Sequence, residues 1–210
     1  MAKVRQGILG GFRGRIGNVV GTGWKGIAVM KSLPLTVANP RTAGQVLQRG
    51  KFSTLVNIAS VILAGIIKPL WDRFASGMSG YNAFISANQG AFSPAGVLIA
   101  DQMLISRGRM IAPSVTIATT SGKNLTATVA NPVGDRYALP TDKIYALLLD
   151  VADNRPLFAG QVTQTRGSSA TVNITAEMLD VPDGDHSLCL FVSYLRSDGS
   201  EVSNSASYNL

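Results

Sequence analysis

Residues 20–29 read VGTGWKGIAV, and Gly21, Gly23 and Gly26 within them spell G-x-G-x-x-G. That spacing cradles a dinucleotide pyrophosphate when a strand precedes it, a helix follows it, and an acidic residue about 20 positions on holds the ribose. The stretch that follows here, IAVMKSLPLTV, is rich in β-branched residues and interrupted by Pro34, so it reads as a strand and then an extended segment. The first carboxylate in the chain is Asp72. No nucleotide or other cofactor is expected. His186 and Cys189, in VPDGDHSLCLFV, invite a nucleophile pair. Three positions apart on a strand, they point to opposite faces and do not meet. Asp180, Asp183 and Asp185 crowd a turn with Pro182 and Gly184, in a spacing that fits no calcium loop. No metal site and no catalytic residues are expected. The chain does not read as an enzyme.

What the residues do suit is contact. Residues 1–71 contain Lys3, Arg5, Arg13, Arg15, Lys25, Lys31, Arg41, Arg49, Lys51 and Lys68, and no acid at all. Residues 110–210 reverse the balance, with six basic and ten acidic residues. A chain so polarised has two parts with different neighbours. Arg13, Arg15, Lys25, Arg41, Arg49 and Lys51 are the cations on offer for phosphates. Trp24 and Trp71 sit beside apolar neighbours and read as core or interface anchors rather than stacking platforms for bases.

The elements that carry these residues follow from pattern. Gly7, Gly10, Gly11, Gly14, Gly17, Gly21, Gly23 and Gly26 alternate with apolar and basic residues, the texture of short β-segments that turn tightly or lie against another backbone. Such strands specify their own register weakly, so the ribbon is expected to be clamped by partner subunits. Asn39-Pro40 signals a helix start. From Arg41 on, apolar residues recur at three- and four-residue steps. From Leu55 the helix is apolar nearly all round and must be covered on every side. Leu55, Ile58, Val61, Ile62 and Ile66, with Trp24 and Trp71, are therefore expected at an assembly interface. Gly65 and Pro69 end or kink the helix, and Ser79 caps a further one. Residues 91–106 fit helix or strand equally.

After Met110 the texture changes to short β-branched runs at 114–120, 125–130, 143–152, 157–165, 170–175, 187–196 and 202–209, separated by turn signals. Seven runs at this spacing predict a β-sandwich of immunoglobulin or fibronectin type III kind. The predicted organisation is thus an α+β N-terminal part over residues 1–109, a Gly-rich ribbon plus helices, followed by an all-β sandwich over 110–210 that folds alone. At 210 residues and 15% charged, the chain has the length and composition of a folded protein. Its single cysteine forms no internal disulfide. Glycines and arginines interrupt the N-terminus, so no secretory signal is expected. The apolar stretch at 52–67 is shorter than the ~20 residues of a membrane span.

Three stretches, GILGGFRGRIGNVVGTGWKG, NPRTAGQVLQRGKF and MSGYNAFISAN, together resemble an uncharacterised family of proteins of similar length encoded by Bacteroidota and their phages. The resemblance covers residues 1 to about 90 closely and extends to the C-terminal fibronectin-like domain only as architecture. It implies no activity and no catalytic residues. It does imply context: phage structural modules often append immunoglobulin-like domains to an assembly domain. The expected function is therefore a non-enzymatic structural protein of a phage virion, in contact with copies of itself or other virion proteins, with no membrane and no small-molecule substrate. The alternative is a nucleic-acid-binding protein that uses the acid-free first 71 residues.

Overall fold

A computed structural model describes the backbone of residues 2–3 and residues 12–34, 36, 39–121, 124–132, 134–177 and 187–210. By internal contacts the chain divides into two units, Met1–Gln45 and Val46–Leu210.

The first unit is a four-stranded antiparallel sheet. Its strands are β1 (Ala2–Lys3), β2 (Gly14–Ile16), β3 (Val19–Trp24) and β4 (Ile27–Ser32), in the order β1-β4-β3-β2. The hairpin β3–β4 closes through Lys25 and Gly26, at φ 45° and 79°. Two consecutive positive φ values are what a two-residue turn matched to strand twist requires, and Gly supplies the second at no steric cost. The expected ribbon is therefore present, and the helix that a nucleotide fold would need after Gly26 is a strand.

The second unit begins in helix α1 (Ala43–Val61). Residues 39–42 are not helical, so α1 starts later than Asn39-Pro40 suggests, with Thr42, also a favoured capping residue type, just ahead of it. At Ile62 the chain turns by 74° into a π-helical turn, Leu63–Ile67, and runs on as α2 (Lys68–Trp71). The Ile67 N–H reaches back five residues to the Ile62 carbonyl at 3.2 Å. The break lies ahead of Gly65, whose role is different: a Cβ there would collide with the Ala159 carbonyl and lie 3.2 Å from the Gly160 Cα. Pro69 falls in the first turn of α2, where its missing N–H costs nothing.

Helix α3 (Gly80–Asn88) is capped by Ser79, whose hydroxyl accepts the Asn82 N–H at 3.2 Å. Trp71 packs edge-on against Phe84, with ring centroids 6.0 Å apart, and donates its indole N–H to the Ile105 carbonyl at 2.7 Å. Residues 91–106 adopt neither long helix nor strand. They hold one bridge, Phe92 to Leu98, and a short 3-10 turn, Ala100–Gln102.

All seven C-terminal strands form near their expected positions: β5 (Ser114–Ser121), β6 (Asn124–Ala130), β7 (Lys143–Asp150), β8 (Arg155–Thr165), β9 (Thr171–Glu177), β10 (Leu188–Leu195) and β11 (Ala206–Asn209). They make two antiparallel sheets, β5-β6-β9 and β11-β10-β7-β8. Between the sheets lies a core containing Leu125, Val129, Ile144, Leu148, Leu190 and Val192. A second core covers the opposite face of the larger sheet: Tyr145, Leu147, Leu149, Cys189 and Phe191 pack with Leu55, Ile58, Ile62, Ile66, Trp71 and Phe84. The unit is thus three layers, with the four-stranded sheet in the middle.

Residues 107–109, where a domain boundary is expected from sequence, do not divide the chain. The segment is stitched to the last strands: the Ser106 hydroxyl donates to the Ser203 carbonyl at 2.9 Å, the Gly108 N–H to Asn204 Oδ1 at 3.1 Å, and Met110 bridges Ser203. Helices and sandwich share one core, so residues 46–210, expressed alone, should unfold in a single cooperative thermal transition. Residues 110–210 alone would bare Leu147, Leu149 and Phe191. At about 1.5–3 kcal/mol per buried side chain, that loss is comparable with the ~5–15 kcal/mol of a whole domain. The shorter fragment should aggregate or melt far lower. Equal melting temperatures for the two fragments would contradict the three-layer account.

Candidate assembly surface

Cross-strand register sorts the N-terminal sheet into two faces. Arg15 pairs with Val20 and Val20 with Lys31, while Thr22 pairs with Val29 and Trp24 with Ile27, so these side chains share one face. The other carries Gly14, Gly21, Gly23, Ala28 and Met30. The segment ahead of β2 lies over this small-residue face. A Cβ at Gly21 would collide with the Phe12 carbonyl and with Phe12 ring carbons 2.7 Å away, and one at Gly23 would lie 3.3 Å from an Arg13 nitrogen. This accounts for the G-x-G-x-x-G spacing. Gly21 admits a neighbouring segment, Gly26 makes a turn, and Gly23 meets only the flexible end of Arg13.

The sheet has almost no interior. Among its described residues only Gly21 is buried, and Ile16 (65% exposed) and Trp24 (56%) face solvent. An antiparallel sheet is stable when one face packs on something apolar. Among the described residues, neither face of this one does so to the point of burying a side chain.

A second exposed apolar surface lies on α1. At 100° per residue, the buried residues Leu55, Ile58 and Ala59 cluster on one side of α1, Val46 falls nearly opposite them, and Val61 lies on the flank between. Val46 is 53% exposed, Val61 62% and Phe52 48%. Phe52 and Leu47 follow the helical period of the core residues, yet both are exposed because α1 extends past the layer it covers.

The structure divides the residues expected at an interface. Leu55, Ile58, Ile62, Ile66 and Trp71 are buried in the chain's own core, so their apolar surface has its partner within the same chain. Trp24 and Val61 remain exposed. The cations expected on phosphates are also dispersed. Arg13 lies against the glycine face and Arg15 belongs to the opposite one. Lys25 stands in the β3–β4 turn, Arg41 and Arg49 are exposed before and on α1, and the Lys51 ammonium sits 5.9 Å from the centre of the Phe92 ring.

Nothing in the described residues resembles a catalytic centre. Cys189 is buried, and burial, with Asp101 nearby, pushes its thiol up to about 12, far from a reactive thiolate. No group of three His, Cys, Asp or Glu residues that could hold a metal occurs among the described residues. His186, Asp180, Asp183 and Asp185 lie outside them. No single described helix is long and apolar enough to cross a membrane.

Sequence reasoning missed a buried ion cluster. The Arg166 guanidinium is 3.6 Å from Asp135 and 3.8 Å from Asp142, and lies 4.7 Å from the centre of the Tyr194 ring. The Tyr194 hydroxyl donates to the side-chain oxygen of Asn131, whose amide donates to the Arg166 and Ser169 carbonyls at 2.9 and 2.8 Å. Burial raises the Asp142 carboxyl above its usual range, against the Leu139 N–H and Arg166, which lower it. The members are spread over more than 60 positions of sequence with no local motif. They tie the β6–β7, β8–β9 and β10 segments together at one end of the sandwich.

The chain is thus a mixed protein: an open antiparallel sheet, helices and a β-sandwich-like unit. The model of a family of unknown function, DUF6266, matches residues 11–209, and the chain belongs to that family. No curated protein matches the sequence.

Replacing Arg166 with Met should cost about 3–5 kcal/mol, because it leaves buried carboxylates without their cation. Without Arg166 the Asp142 carboxyl should rise further, and a buried carboxyl with a raised value destabilises the fold as pH climbs through it. Urea unfolding should therefore show a larger loss for R166M at pH 8 than at pH 5. An equal loss at both would remove the electrostatic reading of the cluster.

Proposed function

We propose that this chain is a non-enzymatic structural protein of a bacteriophage particle. Its N-terminal sheet and the outer side of α1 make contacts with copies of itself or with other virion proteins, and its sandwich projects from the assembled particle. The observation that carries this reading is the four-stranded sheet whose described residues bury nothing larger than a glycine. A sheet of that kind gains its stability when neighbouring subunits cover its faces or pair with its edge strand β2. The exposed apolar residues Val46 and Val61 add a second contact on α1.

The sandwich reads as a fibronectin type III module. The fourth strand, β8, pairs with β7 on the larger sheet rather than with β9 on the smaller, giving three strands against four. Modules of this kind serve as spacers and presenters, and none of the described residues in this one forms a catalytic arrangement. The phage setting rests on the resemblance of the three N-terminal stretches, and a location in the virion follows from it.

Full-length protein treated with nuclease should run as a multimer in light scattering coupled to size exclusion. Val46→Asp with Val61→Asp places charges where a partner must bury them, at a cost of several kcal/mol. Because both side chains are exposed, this double variant should keep the wild-type melting transition and lose the multimer. A wild-type monomer at high concentration would contradict the proposal.

A further inference from the structure

The face of the N-terminal sheet opposite the glycines has a chemistry that the assembly reading does not use. Arg15, Val20 and Lys31 form one cross-strand row over β2, β3 and β4. With strands about 4.8 Å apart, the backbones that carry the two cations are ~10 Å apart. On the same face, at the far end of β3, stands Trp24, 56% exposed. The Arg15 Nε donates to the Gly17 carbonyl at 2.9 Å, which holds the guanidinium beside the β2–β3 turn with its two terminal nitrogens not used in that bond. All three side chains are exposed.

The charge around this face is one-sided. No carboxylate occurs before Asp72, so nothing within the unit neutralises Arg15 or Lys31 or repels an approaching polyanion. A folded protein partner meets a face of one sign only with an acidic patch of its own. Cations beside an open aromatic ring are instead what single-stranded nucleic acid calls for: phosphates take the charges, and an unstacked base takes the indole face. A duplex keeps its bases stacked and leaves Trp24 unused.

We propose that the face bearing Arg15, Lys31 and Trp24 binds single-stranded nucleic acid, with the two cations on phosphates and the Trp24 indole stacked on a base. This inference rests on the assembly reading only in taking the sheet to be a surface completed from outside the chain.

The protein carries its own probe. It has two tryptophans, Trp24 exposed and Trp71 buried with its N–H bonded to Ile105, so quenching of the solvent-exposed emission reports on Trp24 alone. Full-length protein titrated with a 15-nucleotide dT strand at 50 mM salt should show that quenching. Arg15→Gln with Lys31→Gln should flatten the slope of log affinity against log salt by about 1.4, at ~0.7 per phosphate contact on a single strand. Trp24→Ala, which removes the quenching signal and is read by the anisotropy of a fluorescein-labelled dT strand, should weaken binding about tenfold while leaving the salt slope unchanged. The Trp71 emission, unaltered, certifies the fold of residues 46–210 in each variant, and the Trp24 emission of the free double variant certifies its sheet.

Three results would overturn the inference: no quenching at 50 mM salt, an unchanged salt slope in the double variant, or a duplex or polyglutamate that binds as tightly as the dT strand. Polyglutamate binding of that strength would assign the face to an acidic protein surface. The two readings fail separately. Nuclease-treated protein that remains a multimer but ignores the dT strand sinks this inference alone, and a monomer that binds it sinks the assembly reading alone.

Discussion

The structure of residues 46–210 depends on burying β7 and β10 from both sides. Ile144, Leu148, Leu190 and Val192 face the smaller sheet, and Tyr145, Leu147, Leu149, Cys189 and Phe191 face the helices. Strands buried on both faces need two covers. The sheet β5-β6-β9 supplies one, and the bent pair of α1 and α2, with α3, supplies the other. The 74° break at Ile62 lets one continuous stretch of chain both extend along α1 and return over the sheet. Gly65 lets the π-helical turn come within backbone contact of β8. The motif SGYNAF serves the same cover: Ser79 caps α3, Phe84 meets Trp71, and Asn88 holds the 104 segment through its amide and its side-chain oxygen.

The first unit has the opposite economy. It has register, turns and a glycine face that accepts Phe12, but among its described residues no buried side chain. A structure of this kind is specified in shape by its turns and in stability by its surroundings. Its charge sharpens the point. Two such units brought face to face would set like charges together, so contact between copies is better served by the apolar side of α1 and by the strand edges than by the basic face. That division leaves the basic face open to the polyanion proposed for it.

Much of this was legible in the sequence, and the failures have physical causes. The seven sandwich strands were readable because turn residues punctuate them. The glycine fingerprint was separable from a nucleotide site because Pro34 and the missing acid deny it a helix and a ribose partner. The boundary near residue 109 was misplaced because a charge switch reports on surfaces, while domain unity is decided by the core. The core left its own mark: residues 144–149 and 188–192 are continuously apolar, whereas NLTATVA in β6 alternates, and continuous runs are those of strands covered on both faces. Trp71 and the apolar helix looked like interface because sequence shows that a surface must be covered and not by what. The Arg166 cluster was invisible, since its members meet only when the β6–β7 and β8–β9 connections close on β10 at one end of the sandwich.

Residues 46–210 carry their own core, and we propose that partners hold the N-terminal sheet. Amide hydrogen exchange on the full-length protein, followed from dilute to concentrated solution, tests it most directly. Amides of β7 and β10 should be the slowest, at the level of global unfolding and at every concentration. Amides of β3 and β4 should exchange fast when dilute and gain protection as copies associate. Protection of β3 and β4 that equals that of β7 and β10 in dilute protein, and does not change with concentration, would contradict the account.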